Sequence, residues 1–290
     1  TKGAKEKGKL QIDFAANLTV TEKKNLDYAD NHLMNATQQV AAESKYYDWY
    51  FNGGEYSDPV SSAGQVVSQG RPMSPIFYGY YQLAQGKISQ SDLAAQLASL
   101  ATNNYAKEYS EKVLRQQVMQ QYNLSLRSMS DKSSQSVVVN FRHDNSGIKN
   151  AFERRFNATY KGMFHVTKWL TANVGVNAIL DNSRATGSQY IDPFDVPAYS
   201  TLYDADGNTS YLMPLKMLGT GNMYAPDEQN THLRTMKYNP MDEIYNDVVN
   251  VSRQNLRMNL DLNFKIWDGL TAQTQFVYET DRNNRRQYAN

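Results

Sequence analysis

The chain contains no cysteine. That removes disulfides, thiolate nucleophiles and cysteine metal sites together. It also lacks any run of about 18 apolar residues, which a membrane-crossing helix needs, and its mean hydropathy is −0.67. A net charge of +1, from 30 basic and 29 acidic residues, leaves no excess for phosphate-driven nucleic-acid binding. His32, His143, His165 and His232 are scattered, without the close spacing that metal sites use. No serine stands in a Gly-x-Ser-x-Gly elbow. Asp204-Ala205-Asp206-Gly207 places its glycine too early for a calcium loop and no Glu closes it, so it reads as a turn. Gly219-Thr220-Gly221 lacks the Lys-Ser/Thr of a phosphate loop. These gaps point away from an enzyme and leave no cofactor or metal expected. Glycine is outnumbered by tyrosine, 16 to 21, and tyrosine suits membrane-interface girdles and binding loops alike.

What is present is alternation. From Asn255 to Ile266, Leu256, Met258, Leu260, Leu262, Phe264 and Ile266 alternate with Asn255, Arg257, Asn259, Asp261, Asn263 and Lys265. Successive strand side chains point to opposite faces, so this is one long strand with an oily and a hydrophilic face. Its regular length exceeds the usual soluble strand of about 5–6 residues and meets the about 9–11 that a tilted bilayer strand needs. Similar strands are expected from Leu10 to Val20, about Gln120 to Met129, Ser136 to Arg142, about Phe152 to Val166, and Thr171 to Leu180, with a last one resuming from Thr271 to Glu279.

The connections are unequal. Tight turns fall at 130–134, 167–170 and 267–270. Longer connections fall at 22–116, 144–151 and 181–248. Following the chain up and down places all short turns on one side, as in outer-membrane barrels. A β-sandwich with one solvated face explains the alternation equally well, but strand length and one-sided loops less well.

The 22–116 connection predicts helices over Asn31 to Tyr50, Ser91 to Ala101 (Leu93, Leu97 and Leu100 as the apolar stripe) and from Tyr105 onward, with Ser57 to Ser74 as loop. Aromatic residues crowd it. Tyr46, Tyr47, Trp49, Tyr50, Phe77, Tyr78, Tyr80 and Tyr81 are the candidate contacts for substrate or partner, because rigid aromatic faces stack on sugars and peptides at small ordering cost. Packing of the loop's own core is the alternative. Trp169 and Trp267, at turn ends, read as girdle anchors.

Gln121-Tyr122-Asn123-Leu124-Ser125-Leu126, then Asp131-Lys132-Ser133, Asn145-Ser146-Gly147-Ile148 and the Phe156 to Leu180 hairpin, continue into Leu202-Tyr203-Asp204-Ala205-Asp206-Gly207, Asn239-Pro240 and Trp267-Asp268-Gly269-Leu270. In that order they resemble the early barrel of SusC/RagA-type TonB-dependent transporters of Bacteroidetes outer membranes. The resemblance covers essentially the whole chain. It departs at Arg127-Ser128-Met129, where the family often carries a Gly-Gly pair.

The resemblance implies an all-β fold: a transmembrane antiparallel β-barrel, here partial, with about seven strands of the about 22 of such plugged transporters, and long extracellular loops containing short helices. Residues 1–9 would be the end of the plug or its linker, and 10–290 a barrel portion with outer loops at 22–116 and 181–248. The implied function is import of oligomeric nutrients, glycan or peptide, across the bacterial outer membrane. Implied partners are a SusD-like surface lipoprotein lid, TonB through an N-terminal region, the remaining barrel and plug, and outer-membrane lipid. The alternative function is an extracellular β-sandwich adhesin or glycan-binding module.

Overall fold

The computed structural model describes residues 8–54, 57–69, 71, 73–187, 192–210, 212 and 239–288. The chain divides into two compact units. One comprises Thr1–Lys23, Arg115–Thr186 and Asn246–Asn290; the other comprises Lys24–Leu114 and Gly187–Tyr245.

The first unit is a sheet of β1 (Leu10–Thr21), β2 (Gln117–Met129), β3 (Ser133–Asp144), β4 (Phe152–His165), β5 (Leu170–Thr186), β6 (Val248–Trp267) and β7 (Leu270–Tyr288). All neighbours are antiparallel and spatial order equals sequence order. The sheet is not closed: β1 and β7 are its two edges. Strands run from 12 to 20 residues. Short turns join β2 to β3, β4 to β5 and β6 to β7, so they share one end of the meander. Gly269, at φ +91°, makes the last of them in a backbone region that a Cβ disfavours.

Residues directly opposite in an antiparallel pair share a face, so the register sorts the side chains. Ile12, Leu126, Val137, Tyr160, Val176, Met258 and Tyr278 form one continuous row. Leu10, Ser128, Gln135, Gly162, Val174, Leu260 and Phe276 form the next. The Tyr160 and Phe164 rings fold over Gly162, where a Cβ would meet them at 2.5 and 2.7 Å. The other face carries Ala15, Asn123, Asn140, Asn157, Ile179, Asn255 and Asp281 in one row, with the Asn140 amide donating to Asn123. Ion pairs cross this face, Arg155 to Asp181 at 2.6 Å and Arg253 to Asp281 at 2.7 Å.

Among the described residues of the sheet unit, no second layer covers the apolar face. Ile12, Phe14, Phe276 and Tyr278 are each about three-fifths exposed or more, and none of the apolar residues of β6 between Leu256 and Ile266 is buried. Few buried apolar side chains belong to the sheet unit; most, including Ile76, Phe77, Leu93, Tyr105, Leu202 and Ile244, belong to the second.

That unit holds α1 (Ala36–Asn52), α2 (Pro59–Ser68), α3 (Pro75–Ala84), α4 (Gln90–Ala101), α5 (Tyr105–Lys112) and α6 (Pro240–Asn246). Asn35 and Ser89 cap α1 and α4 with reciprocal capping boxes. The expected loop over Ser57 to Ser74 is corrected here. Its Ser/Gly content conceals α2, begun by Asp58, which accepts from the Ser61 amide, and by Pro59 in the first turn. The aromatic run from Pro75 is α3, capped by Ser74. The two long connections pack as one body: Gln39 Oε1 accepts from the Ala198 amide at 2.8 Å, and Asn103 donates to the Tyr199 carbonyl at 2.8 Å. The expected turn at 204–207 is present, as the tip of a small hairpin in which Tyr203 is bridged to Thr209.

Strand ends exceed the apolar pattern. β5 continues through Asp181 to Thr186, where the sequence suggests connection, and β7 continues through Asp281 to Tyr288, past the expected strand end at Glu279. These extensions carry polar residues on both faces, so periodicity does not mark them; ladder bonds and pairs such as Arg253 with Asp281 hold them. No described helix is long and apolar enough to cross a membrane.

Candidate functional site

The aromatic candidates fall in α1 and α3, which pack together in the second unit. Phe77 is the hub. Its ring lies 5.5 Å from Tyr47, 6.1 Å from Phe51, 5.5 Å from Tyr78 and 6.1 Å from Tyr81, the last stacked. Tyr80 joins through Tyr47 at 6.4 Å. Phe77 and Tyr80 are buried. Tyr46, 5.1 Å from Tyr47 and 6.1 Å from Trp49, Trp49 itself and Tyr78 are exposed; Tyr47, Tyr50 and Tyr81 are half-buried. The eight residues therefore form one cluster with a buried base and an aromatic rim. Only the rim is free to meet a ligand.

Beneath the cluster lies a polar group that the sequence reading missed. The Tyr199 hydroxyl donates to both carboxylate oxygens of Glu43, at 2.9 and 3.2 Å. Ser74 and Gln39 also bond Glu43, and Ser74 bonds Tyr47. The available signal was spacing: Gln39, Glu43 and Tyr47 recur every four residues and so line one helix face. Burial raises the Glu43 carboxyl above its usual range, against the opposing hydrogen bonds. Burial also pushes the Tyr199 and Tyr47 hydroxyls up, with Glu43 adding to both.

A pH dependence follows. A carboxyl with a raised folded pKa binds its proton more tightly folded than unfolded, so its contribution is full below the unfolded value and is lost as pH rises through the folded one. Glu43→Gln is therefore expected to raise the melting temperature of this unit at neutral pH. The advantage over wild type should shrink as pH falls toward about 4, near the ordinary Glu value. Thermal melts across that range check it; a pH-independent difference would assign the effect to packing instead.

The sheet offers a second surface. On its polar face a hollow of about 470 Å³ centres on Gly175, lined by Ser136, Lys161, Asn177, Arg257 and Asn259. The Asn259 side chain lies where a Gly175 Cβ would stand. This lining can hydrogen-bond and hold charge. Among the described residues no cluster of three or more His, Asp or Glu side chains could hold a metal ion.

No family model matches the chain, and no curated protein does. Solved structures do match. The RagAB peptide importer in its "closed-closed" state is similar at 13% identity with a TM-score of 0.58, over 96% of this chain and 29% of that one. A second RagAB peptide transporter structure has the same identity and score over 97% and 29%. The "open-open" importer gives 0.56 over 96% and 28%. The chain thus spans under a third of the length of these structures, and at this identity the likeness is one of fold. That shared fold is an antiparallel sheet with helical connections.

Proposed function

We propose that this chain is a stretch of the wall of a TonB-dependent outer-membrane transporter that imports an oligomeric nutrient, with a SusD-like lipoprotein closing its outer face. One observation carries the reading. Seven long meandering strands present an uncovered apolar face and an ion-paired, asparagine-rich face. In water the first is a large aggregation hazard; in a barrel it meets lipid while the polar face lines the lumen. A β-sandwich adhesin would bury the apolar face against a second sheet, and no such sheet exists among the described residues. Similarity to peptide importers puts peptide ahead of glycan as the cargo. Translocation calls for no covalent step; the hollow around Gly175 would hydrate a path or seat the plug. The rim of Tyr46, Trp49 and Tyr78 would face cargo or lid.

These 290 residues carry no cysteine, so once any cysteine elsewhere in the full polypeptide is replaced by serine, labelling in intact outer membranes tests the reading. Leu260→Cys is expected to resist a membrane-impermeant maleimide and to react with a lipid-soluble one. Asp261→Cys, on the opposite face, should react with water-soluble reagent that enters the lumen. Uptake of a labelled oligopeptide should stop when the proton gradient is collapsed. Equal aqueous labelling at both positions would refute the wall assignment, and energy-independent uptake would refute TonB coupling.

A further inference from the structure

The apolar face changes character along the strands. From Leu256 to Ile266 it spans about 34 Å of strand, about 26 Å in height at the about 40° tilt of such barrels, close to their apolar band of about 25 Å. One row beyond Leu256, away from the tight turns, the first cation enters the same face, at Arg282. Leu180 pairs Gln254, which pairs Arg282. Next come His143, Arg154, Asn182, Ser252 and Asn284, and then Phe152, Arg184, Asn250 and Arg286.

The charges are segregated. Asp13, Asp144, Glu153, Asp181, Asp261, Glu279 and Asp281 are all the carboxylates of the seven strands, and the register puts every one on the opposite face. There they neighbour Arg127, Arg142, Arg155 and Arg253. Arg154, Arg184, Arg282 and Arg286 thus share their face with no strand carboxylate. They are also arranged. Arg154 and Arg184 lie over the Phe152 ring at 4.8 and 5.6 Å. Arg184 is held by the side-chain oxygens of Asn250 and Asn150, both at 2.8 Å, and Arg154 Nε donates to His143 Nδ1 at 3.4 Å. A hollow of about 450 Å³ runs between Phe152, Arg154, Asn182, Asn250, Asn284 and Arg286. Asparagine and serine around guanidinium groups make a donor-rich, acid-free pocket, and arginine pairs with phosphate through parallel hydrogen bonds.

We propose that Arg154, Arg184, Arg282 and Arg286 form a binding site for a phosphate-bearing lipid headgroup, in the leaflet at the long-connection end of the strands. The proposal rests on the wall reading. What selects a lipid over a soluble anion is continuity. The cations begin one row beyond the apolar band on the same face, so an acyl chain lying along Val176, Leu256 and Tyr278 carries its headgroup into the hollow. The site would anchor the wall at the height of the leaflet's phosphates and replace the repulsion among the four cations with bridging.

The test uses the full polypeptide in a nonionic detergent, titrated with monophosphoryl lipid A, dioleoylphosphatidylcholine or inorganic phosphate, with bound lipid read by native mass spectrometry. Lipid A should bind and phosphatidylcholine should not displace it. The joint change Arg154→Gln, Arg184→Gln, Arg282→Gln and Arg286→Gln should weaken lipid A binding at least about tenfold, since each cation near an anionic surface contributes. Arg282→Gln with Arg286→Gln, both on β7, gives a milder pair in case the fourfold variant misfolds, and should weaken it several-fold. Arg253→Gln, on the opposite face of β6, should leave it unchanged. Undiminished lipid A binding by either arginine variant overturns the site, as does equal competition by millimolar inorganic phosphate, which would make it a free-anion site. Cysteine labelling at Leu260 separates the two levels: lipid-side labelling with unchanged arginine variants sinks the site alone, while aqueous labelling there sinks the wall reading as well.

Discussion

Leu260→Arg is expected to destabilise the folded protein in lipid by about 2–4 kcal/mol, the cost of an arginine at the midplane of a barrel's outer face. Leu260 stands between Val174 and Phe276, with the Met258 row on one side and the Leu262 row on the other. None of the described residues of the sheet unit covers its face, so what surrounds the new guanidinium is set by the medium. In lipid it must drag water inward or bend toward the interface. In water it would be free, and a half-exposed Leu→Arg change on an open sheet face would lie within about 0.5 kcal/mol. Folding into phospholipid vesicles under a urea titration measures the difference. Gln275→Arg is the matched control. It lies on the polar face opposite Asp261, where a cation gains a carboxylate, and its effect is expected to stay within about 0.5 kcal/mol. A small cost at Leu260 would mean that this face does not meet lipid.

The reason such an experiment can be designed from this chain is that its strands write both faces into the sequence. Alternation between Asn255 and Ile266 gives the strand, its facing and its neighbours' register, and the short turns at 130–134, 167–170 and 267–270 give the meander. What alternation cannot mark is strand without an oily face. Asp181 to Thr186 and Asp281 to Tyr288 are paired strand built of polar residues on both sides, and they look like loop for that reason. The same blindness hides the arginine cluster, since Arg154, Arg184, Arg282 and Arg286 lie far apart in sequence and meet only through the ladder. Helix α2 was hidden differently: its serines, glycine and glutamine read as loop and mask the short stripe of Val60, Ala63 and Val67, and its clearest start signal is Asp58-Pro59. Of the candidate site, the aromatic content was legible but the division into base and rim was not. Tyr80 and Tyr78 are indistinguishable as letters; a packing partner, α1, decides which is buried.

That division yields the second large effect. Phe77→Ala is expected to destabilise the helical unit by about 3–5 kcal/mol, the range for emptying a buried phenylalanine site. The ring is 2% exposed and is shared by α1 through Tyr47 and Phe51 and by α3 through Tyr78 and Tyr81. Five aromatic side chains at one junction leave little freedom to collapse into the void. The chain has three tryptophans, of which Trp169 and Trp267 belong to the sheet's turn ends and Trp49 to α1. Replacing the two sheet tryptophans, and any that lie outside these 290 residues, with phenylalanine makes Trp49 the single reporter of this unit, so its fluorescence in a denaturant titration reads the unit's unfolding apart from that of the sheet. Trp49→Ala, followed instead by far-ultraviolet circular dichroism and limited proteolysis, should cost about 1 kcal/mol or less, because an exposed ring leaves a small cavity. Its effect should appear in binding, where rim aromatics are the usual anchors: weaker capture of a SusD-like lid or of labelled oligopeptide, with stability retained. The opposite pairing would overturn the division. A Phe77→Ala protein that melts like wild type, or a Trp49→Ala protein that unfolds early and binds normally, would make the exposed ring the structural one and leave the aromatic rim without a role in recognition.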